Sequence, residues 1–163
     1  MKVIDNFLDE SYFNYLTSAI MSDWFPWYYN FGILYPGDGQ SMLTHTFIRP
    51  DDPPNHTRDY FYLLEHFVKL LDVKKLYRIK ANLTHKTIFK TKTGYHYDFD
   101  DMTTSVFYMN TNNGGTKLKN GKFIKSVANR LVTFDSNLLH TGVNCTDEQR
   151  RVVINFNYES TTF

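Results

Sequence analysis

The half of the chain from residue 76 to residue 158 alternates short β-prone segments with corners rich in glycine and asparagine. Five segments have strand character: 76–83, 104–110, 122–127, 130–134 and 151–158. Asn120-Gly121 lies between two short strands and is typical of a hairpin turn. Many short strands joined by such corners favour a double-sheet roll over a flat open sheet.

The first half of the chain has a different pattern. After Asp9, which suits an N-cap, one helical face is apolar at Tyr12, Phe13, Leu16, Ala19 and Ile20. Spacing predicts a second amphipathic helix over about 57–73, and residues 31–50 predict two strands around a turn at 35–39. An interruption of regular secondary structure is expected at 51–54, where two aspartates precede two prolines.

Together these elements predict an α+β, mainly β fold in which N-terminal helices buttress an antiparallel sandwich or barrel. The length of 163 residues fits one domain. We expect helical support mainly in residues 1–75 and a β core mainly in residues 76–158.

Composition excludes several classes of function. The formal net charge of +1 gives no general attraction to nucleic acid or to acidic membranes. No apolar run approaches the roughly 20 residues that span a bilayer. Cys145 is the only cysteine, which excludes an internal disulfide and disfavours a cysteine-based zinc site. The opening residues, MKVIDNFLDE, lack a secretory signal pattern, so we expect a cytoplasmic globular protein.

The segment TGYHYDFDD, residues 93–101, carries a possible metal clamp. On extended backbone His96 and Asp98 point to the same side. His140, which follows a strand and precedes a glycine, is the best third ligand, and two histidines with one carboxylate are the set that binds non-haem Fe(II). A His-x-Asp pair is common by chance, and other histidines can supply the third ligand: His45, His56, His66 and His85.

Arg151 lies eleven residues after His140, at the start of a predicted strand. Strand alternation puts Arg151, Val153 and Asn155 on a mixed face suited to a ligand cavity, and Arg150 on the more apolar opposite face. Arginine binds carboxylates bidentately, so Arg151 is the candidate partner for an acidic co-substrate. The alternative is that both arginines are exposed at the strand end.

These motifs, in this order, resemble the 2-oxoglutarate- and Fe(II)-dependent oxygenases, specifically their prolyl-4-hydroxylase-like branch. The resemblance covers about residues 76–158 and rests on six motifs: His-Tyr-Asp at 96–98, SVFYMN at 105–110, Gly-Gly-Thr at 114–116, NRLVTF at 129–134, His-Thr-Gly at 140–142 and RVVINF at 151–156. It implies a double-stranded β-helix (jelly-roll) fold.

The resemblance also implies roles for individual residues. His96, Asp98 and His140 are the implied iron ligands, and Arg151 the partner of the distal carboxylate of 2-oxoglutarate. Tyr108 either donates its hydroxyl to that carboxylate or is a core aromatic residue. The pocket roles of three further residues stay undefined: Asn82, Thr116 and Asn155.

The implied activity is hydroxylation of a substrate C–H bond with Fe(II), 2-oxoglutarate and O₂. Collagen-type prolyl hydroxylases use lysine for the distal carboxylate, so an arginine at position 151 disfavours membership in that group. Prolyl peptides are therefore one substrate class among several. A nucleobase or another small molecule is the alternative. A binding module without turnover also stays open, as does a zinc hydrolase, although a hydrolase leaves Arg151 without a purpose.

Overall fold

A computed structural model describes residues 1–50 and 59–161 of this chain. Its helices are α1 (Glu10–Ile20) and α2 (Glu65–Leu70). Its strands are β1 (Lys2–Ile4), β2 (Tyr28–Phe31), β3 (Ser41–Ile48), β4 (Val73–His85), β5 (Thr103–Tyr108), β6 (Gly115–Leu118), β7 (Phe123–Lys125), β8 (Arg130–Asp135), β9 (His140–Val143) and β10 (Arg150–Ser160).

The strands form two antiparallel sheets. The larger has the order β1-β8-β5-β10-β4-β3-β2 and the smaller the order β7-β6-β9. Single bridges join Lys92 to Val143 and His96 to His140, so the segment before β5 adds a fourth row beside β9. From β5 onward the chain passes back and forth between the two sheets. The larger sheet contains β5, β8 and β10, and the smaller sheet contains β6, β7 and β9. The predicted fold, mainly β with a double-stranded β-helix core, is confirmed.

The helices cover the outer face of the larger sheet. As predicted, α1 is capped by Asp9, whose carboxylate accepts the backbone N–H of Tyr12 at 2.9 Å. On α2, Phe67 is fully buried and stacks on Phe156 of β10 with ring centroids 4.4 Å apart. Burying one such ring contributes about 1.5–3 kcal/mol, so this apolar contact helps to hold α2 against the sheet.

The second helix is shorter than the sequence predicts. A 3₁₀ turn at Phe61–Leu63 precedes α2, and Tyr60 has a left-handed φ of 63°, which an α-helix does not accept. The extended backbone of Leu71 ends α2 and leads directly into β4. The predicted positions 57 and 58, and the predicted break at 51–54, lie outside the described residues.

The two strands predicted within residues 31–50 form a hairpin, but the first of them lies earlier than expected. β2 pairs with β3, and the connection occupies residues 32–40. Gly32 has a φ of +93°, which ends the strand. The Asp38 carboxylate then holds the loop by accepting backbone N–H groups at 2.9 Å from Ile33, Leu34 and Gln40.

A second apolar cluster lies between the two sheets. Strand alternation on β5 turns Val106 and Tyr108 inward and Phe107 outward toward the helices. The inner cluster fills only one end of the space between the sheets, and the rest is an open cavity. Within residues 1–50 and 59–161, no helix is long and apolar enough to cross a membrane.

Candidate active site

A cavity of about 550 Å³ opens between the two sheets. Its walls come from β4, β10 and β5 of the larger sheet and from β6, β9 and the segment before β5 on the other side. The predicted site residues that line it are His96, Asp98, His140, Arg151, Asn82, Thr116 and Asn155.

Three of these residues form a cluster suited to one metal ion. His96, Asp98 and His140 each offer a ligand atom, and the three atoms lie within 4.8 Å of one another. Each histidine Nε2 lies 3.9 Å from a different oxygen of Asp98. The ligand atoms therefore surround a point that a single ion can reach with small side-chain movements, and the set is the one typical of mononuclear Fe(II) sites.

Backbone carbonyls orient the two histidine rings. Nδ1 of His140 lies 2.9 Å from the carbonyl oxygen of Leu138, and Nδ1 of His96 lies 3.2 Å from that of Gly94. Each contact places the proton on Nδ1 and leaves Nε2 with a free lone pair facing Asp98. Burial lowers the pKa of His140, with Asp98 opposing that effect, so the ring stays neutral as a metal ligand must.

The Asp98 carboxylate is held from several sides. Arg78 Nη2 donates to Oδ1 at 3.0 Å, while the Thr104 hydroxyl and Asn157 Nδ2 both donate to Oδ2 at 3.0 Å. Burial raises the pKa of Asp98, but Arg78, the two histidines and Asn157 outweigh burial, and the net pKa is lowered. The carboxylate is therefore ionised and fixed in orientation.

Arg151 lies at the other end of the cavity. Its residue exposure is 5%, and in the described part of the chain its guanidinium makes no hydrogen bond or ion pair. Burial lowers its pKa, which records the cost of keeping a cation there without a counter-ion. A buried arginine that lacks an acidic partner fits an anionic ligand, and a carboxylate matches its planar fork.

Gly114 leaves space for the Arg151 side chain, and Gly142 lies at ordinary contact distance from it. A Cβ on Gly114 would lie 3.1 Å from Cδ of Arg151 and 2.5 Å from the carbonyl oxygen of Val143. A Cβ on Gly142 would lie 3.7 Å from Nη1 of Arg151. The Gly-Gly-Thr and His-Thr-Gly motifs thus both border the arginine.

Several solved structures have a fold similar to that of this chain. The chain is similar to a prolyl-4-hydroxylase from Pseudomonas putida (16% identity, 97% of this chain and 91% of that chain, TM-score 0.67). It is also similar to an oxidoreductase of the 2OG-Fe(II) oxygenase family from Burkholderia pseudomallei (12% identity, 96% of this chain and 84% of that chain, TM-score 0.65). A third similar structure is the collagen prolyl hydroxylase vCPH of Paramecium bursaria Chlorella virus-1 (13% identity, 98% of this chain and 90% of that chain, TM-score 0.58).

The chain has the fold of the 2-oxoglutarate- and Fe(II)-dependent oxygenases. At these identities the likeness concerns the fold. No family model matches the sequence, and no match to a curated protein was found.

Within this oxygenase fold Tyr108 is a core residue. It is fully buried, its hydroxyl donates to Thr116 Oγ1 at 2.8 Å, and its ring centroid lies 5.8 Å from Cζ of Arg151. Thr116 lines the cavity, so the Tyr108 hydroxyl is linked to the cavity through its hydrogen bond to Thr116. The direct role of Tyr108 toward a carboxylate stays a prediction.

Asn82 and Asn155 both lie in the cavity wall of the oxygenase fold. Each has a buried Oδ1 without a hydrogen-bond partner in the described residues. They lie at diagonal positions of the β10–β4 ladder, since Asn82 lies opposite Val153 and Asn155 lies opposite Lys80. Unsatisfied amides that face a cavity are suited to contact a ligand.

The alternative third ligands lie elsewhere. His45 is buried among aromatic rings with Nδ1 2.8 Å from the carbonyl oxygen of Pro26. His66 packs against Tyr12, and His85 is exposed at the end of β4. None of these three joins the cluster, and His56 lies outside the described residues.

Sequence reasoning missed the polar wall that β4 gives to this cavity. Arg78, Lys80, Asn82 and Thr84 all line it and alternate with the more apolar face of the strand. The period-2 pattern in residues 76–85 carries this signal. Only the pairing with β10 shows that the polar face points inward rather than to solvent.

Proposed function

We propose that this protein is a 2-oxoglutarate- and Fe(II)-dependent dioxygenase that hydroxylates a C–H bond of its substrate. The observation that carries the proposal is the presence, in one cavity, of a two-histidine, one-carboxylate cluster and a buried guanidinium without a counter-ion. A zinc hydrolase would use the same cluster but would leave Arg151 as an unexplained buried cation.

In this proposal His96, Asp98 and His140 hold the iron. The neutral imidazoles and the ionised carboxylate are the protonation states that metal binding requires. Arg78, Thr104 and Asn157 act through Asp98, because they keep it charged and in a single orientation. When bound, the iron supplies the activation of O₂ and the oxidising power of the reaction.

Arg151 binds the distal carboxylate of 2-oxoglutarate in this account. Arg151 and the iron cluster line the same cavity, and 2-oxoglutarate carries one carboxylate for each of them. Thr116, which accepts from Tyr108, offers a further hydroxyl near the arginine. The low exposure of Arg151 strengthens a charged contact made there.

The primary substrate enters through a partly apolar mouth. Leu34, Tyr97 and Leu139 line the cavity and are also well exposed, so they mark its opening. A prolyl residue of a peptide fits such an opening, and so does a small molecule. We therefore propose a C–H hydroxylase acting on a peptidyl or small-molecule substrate, and a nucleobase is the alternative.

Turnover of isotope-labelled 2-oxoglutarate tests the proposal. The protein, loaded with Fe(II) without oxygen and then exposed to air, is expected to convert 2-oxoglutarate slowly to succinate. Candidate substrates, including proline-containing peptides, are expected to increase the rate when they fit. His140→Ala should abolish turnover, and His85→Ala is the matched control outside the cluster. Equal rates in the parent and in His140→Ala would contradict the proposal.

A further inference from the structure

The cavity contains more positive charge than the proposed reaction uses. Among its lining residues in the described ranges are three cations, Arg78, Lys80 and Arg151, and one carboxylate, Asp98. With both histidines counted as neutral, the lining carries a net charge of +2. Fe(II) adds two positive charges and 2-oxoglutarate two negative ones, so the excess of two positive charges is still present in the loaded site.

Lys80 carries the part of this excess that has no partner. Its side chain lies largely buried in the cavity wall, and no hydrogen bond or ion pair links it to any described residue. Arg78, in contrast, is paired with Asp98 at 3.0 Å. Burial lowers the pKa of Lys80, and Arg78 lowers it further while Asp98 opposes them. The ammonium group is therefore destabilised until an anion reaches it.

Strand register separates Lys80 from the predicted 2-oxoglutarate carboxylate site. On the β10–β4 ladder Arg151 lies opposite Thr84, four residues from Lys80. Lys80 lies opposite Asn155, two pairs along the ladder from the Asn157–Arg78 pair that holds Asp98 and on the same face of the sheet. Lys80 therefore lies toward the metal cluster. Since the iron and Arg151 take the two carboxylates of 2-oxoglutarate, Lys80 is left for another ligand.

We propose that the primary substrate carries an anionic group, a carboxylate or a phosphate, which binds to Lys80 beside Arg78 when the reacting C–H bond faces the metal. This inference rests on the proposed function and narrows its substrate class. It disfavours an internal peptidyl proline, which is neutral at this position, and favours acidic small molecules or acidic peptides. A lone ammonium recognises a carboxylate and a phosphate alike.

Binding measurements on the Mn(II)-loaded protein test the inference without turnover. Inorganic phosphate and acetate are titrated calorimetrically, with and without saturating 2-oxoglutarate, into the parent, Lys80→Met and Lys80→Arg. Lys75→Met is the matched control, because Lys75 lies on the same strand but is exposed and packs on Tyr77. We expect at least one anion to bind the 2-oxoglutarate-loaded parent, and Lys80→Met to weaken that binding about tenfold or more. Lys80→Arg and Lys75→Met should stay within about threefold of the parent.

Two outcomes would overturn the inference. If Lys80→Met weakens 2-oxoglutarate itself about tenfold, Lys80 belongs to the co-substrate site. If neither anion binds the parent, or if Lys80→Met binds both as the parent does, the cavity has no substrate anion site. Failure of 2-oxoglutarate to bind the parent contradicts the proposed function instead, and the titrations without it still test Lys80.

A pairwise substrate screen extends the test. N-acetyl amino acids with a free α-carboxylate are compared with the corresponding carboxamides as stimulators of 2-oxoglutarate turnover. The carboxylates are expected to stimulate, and Lys80→Met is expected to remove their advantage over the amides. Stimulation by the amides alone would contradict the anionic substrate class.

Discussion

Replacing Arg151 by methionine should remove most of the affinity for 2-oxoglutarate. Arg151 as a residue is 5% exposed, so a contact with a carboxylate is shielded from solvent. A hydrogen bond to a charged group contributes about 1.5–3 kcal/mol. Since 1.4 kcal/mol corresponds to tenfold in binding, the loss is expected to be about ten- to 150-fold.

The same substitution should leave the ligand-free fold no less stable than the parent. Arg151 makes no hydrogen bond or ion pair with the described residues, and methionine removes the cost of burying its charge while keeping most of the apolar stem. Thermal unfolding without ligand should therefore show an unchanged or higher midpoint. Protection by 2-oxoglutarate, which scales with the ratio of its concentration to Kd, should largely disappear.

Calorimetric titration of 2-oxoglutarate into the Mn(II)-loaded variants measures the affinity. Arg150→Met is the matched control, since Arg150 lies on the opposite face of β10 and donates to the carbonyl oxygen of Met21 at 2.9 Å. Arg151→Lys should recover part of the affinity, because lysine keeps the charge but not the fork. If Arg150→Met is the damaging variant and Arg151→Met binds normally, the assignment of the carboxylate partner is wrong.

Three further predictions concern the surroundings of the site and the fold. Asn157→Leu removes one donor from Oδ2 of Asp98 and should weaken Mn(II) binding by about ten- to 100-fold by calorimetry, whereas the exposed Asn120→Leu should have no effect. Mn(II) affinity should fall as pH falls, because protons compete for the histidines. Since burial lowers the pKa of His140, its share of the loss comes below the ordinary histidine range of about 6.5, which a pH series of titrations checks. Phe67→Ala should cost about 3–5 kcal/mol of unfolding free energy in urea melts, while Tyr62→Ala, which is exposed, should cost little.

Much of the β core could be predicted because its strands have strong local patterns. On β10 the alternation of mixed and apolar residues gave the correct faces: Val152, Ile154 and Phe156 pack toward the helices, and Arg151, Val153 and Asn155 line the cavity. β1, β6 and β9 are absent from the predicted segments, because three or four residues contain too few alternations to mark a strand by themselves. The equally short β7 was predicted as part of the longer segment 122–127.

The contacts that fix Asp98 were beyond sequence reasoning. Arg78, Thr104 and Asn157 come from β4, β5 and β10, and only the pairing of these strands brings them to one carboxylate. The charge of Lys80 was also overlooked, since an alternating polar residue on a strand usually faces solvent. The metal roles of the cluster, the cytoplasmic location and the single-domain division stay predictions.

Spectroscopy of the anaerobic protein tests the central claim most directly. Fe(II) should bind at one ion per chain, and adding 2-oxoglutarate should then produce a charge-transfer band in the visible range. Neither component alone should give the band, and Asp98→Ala should give none. A protein that binds Fe(II) but shows neither this band nor any thermal protection by 2-oxoglutarate would contradict the account.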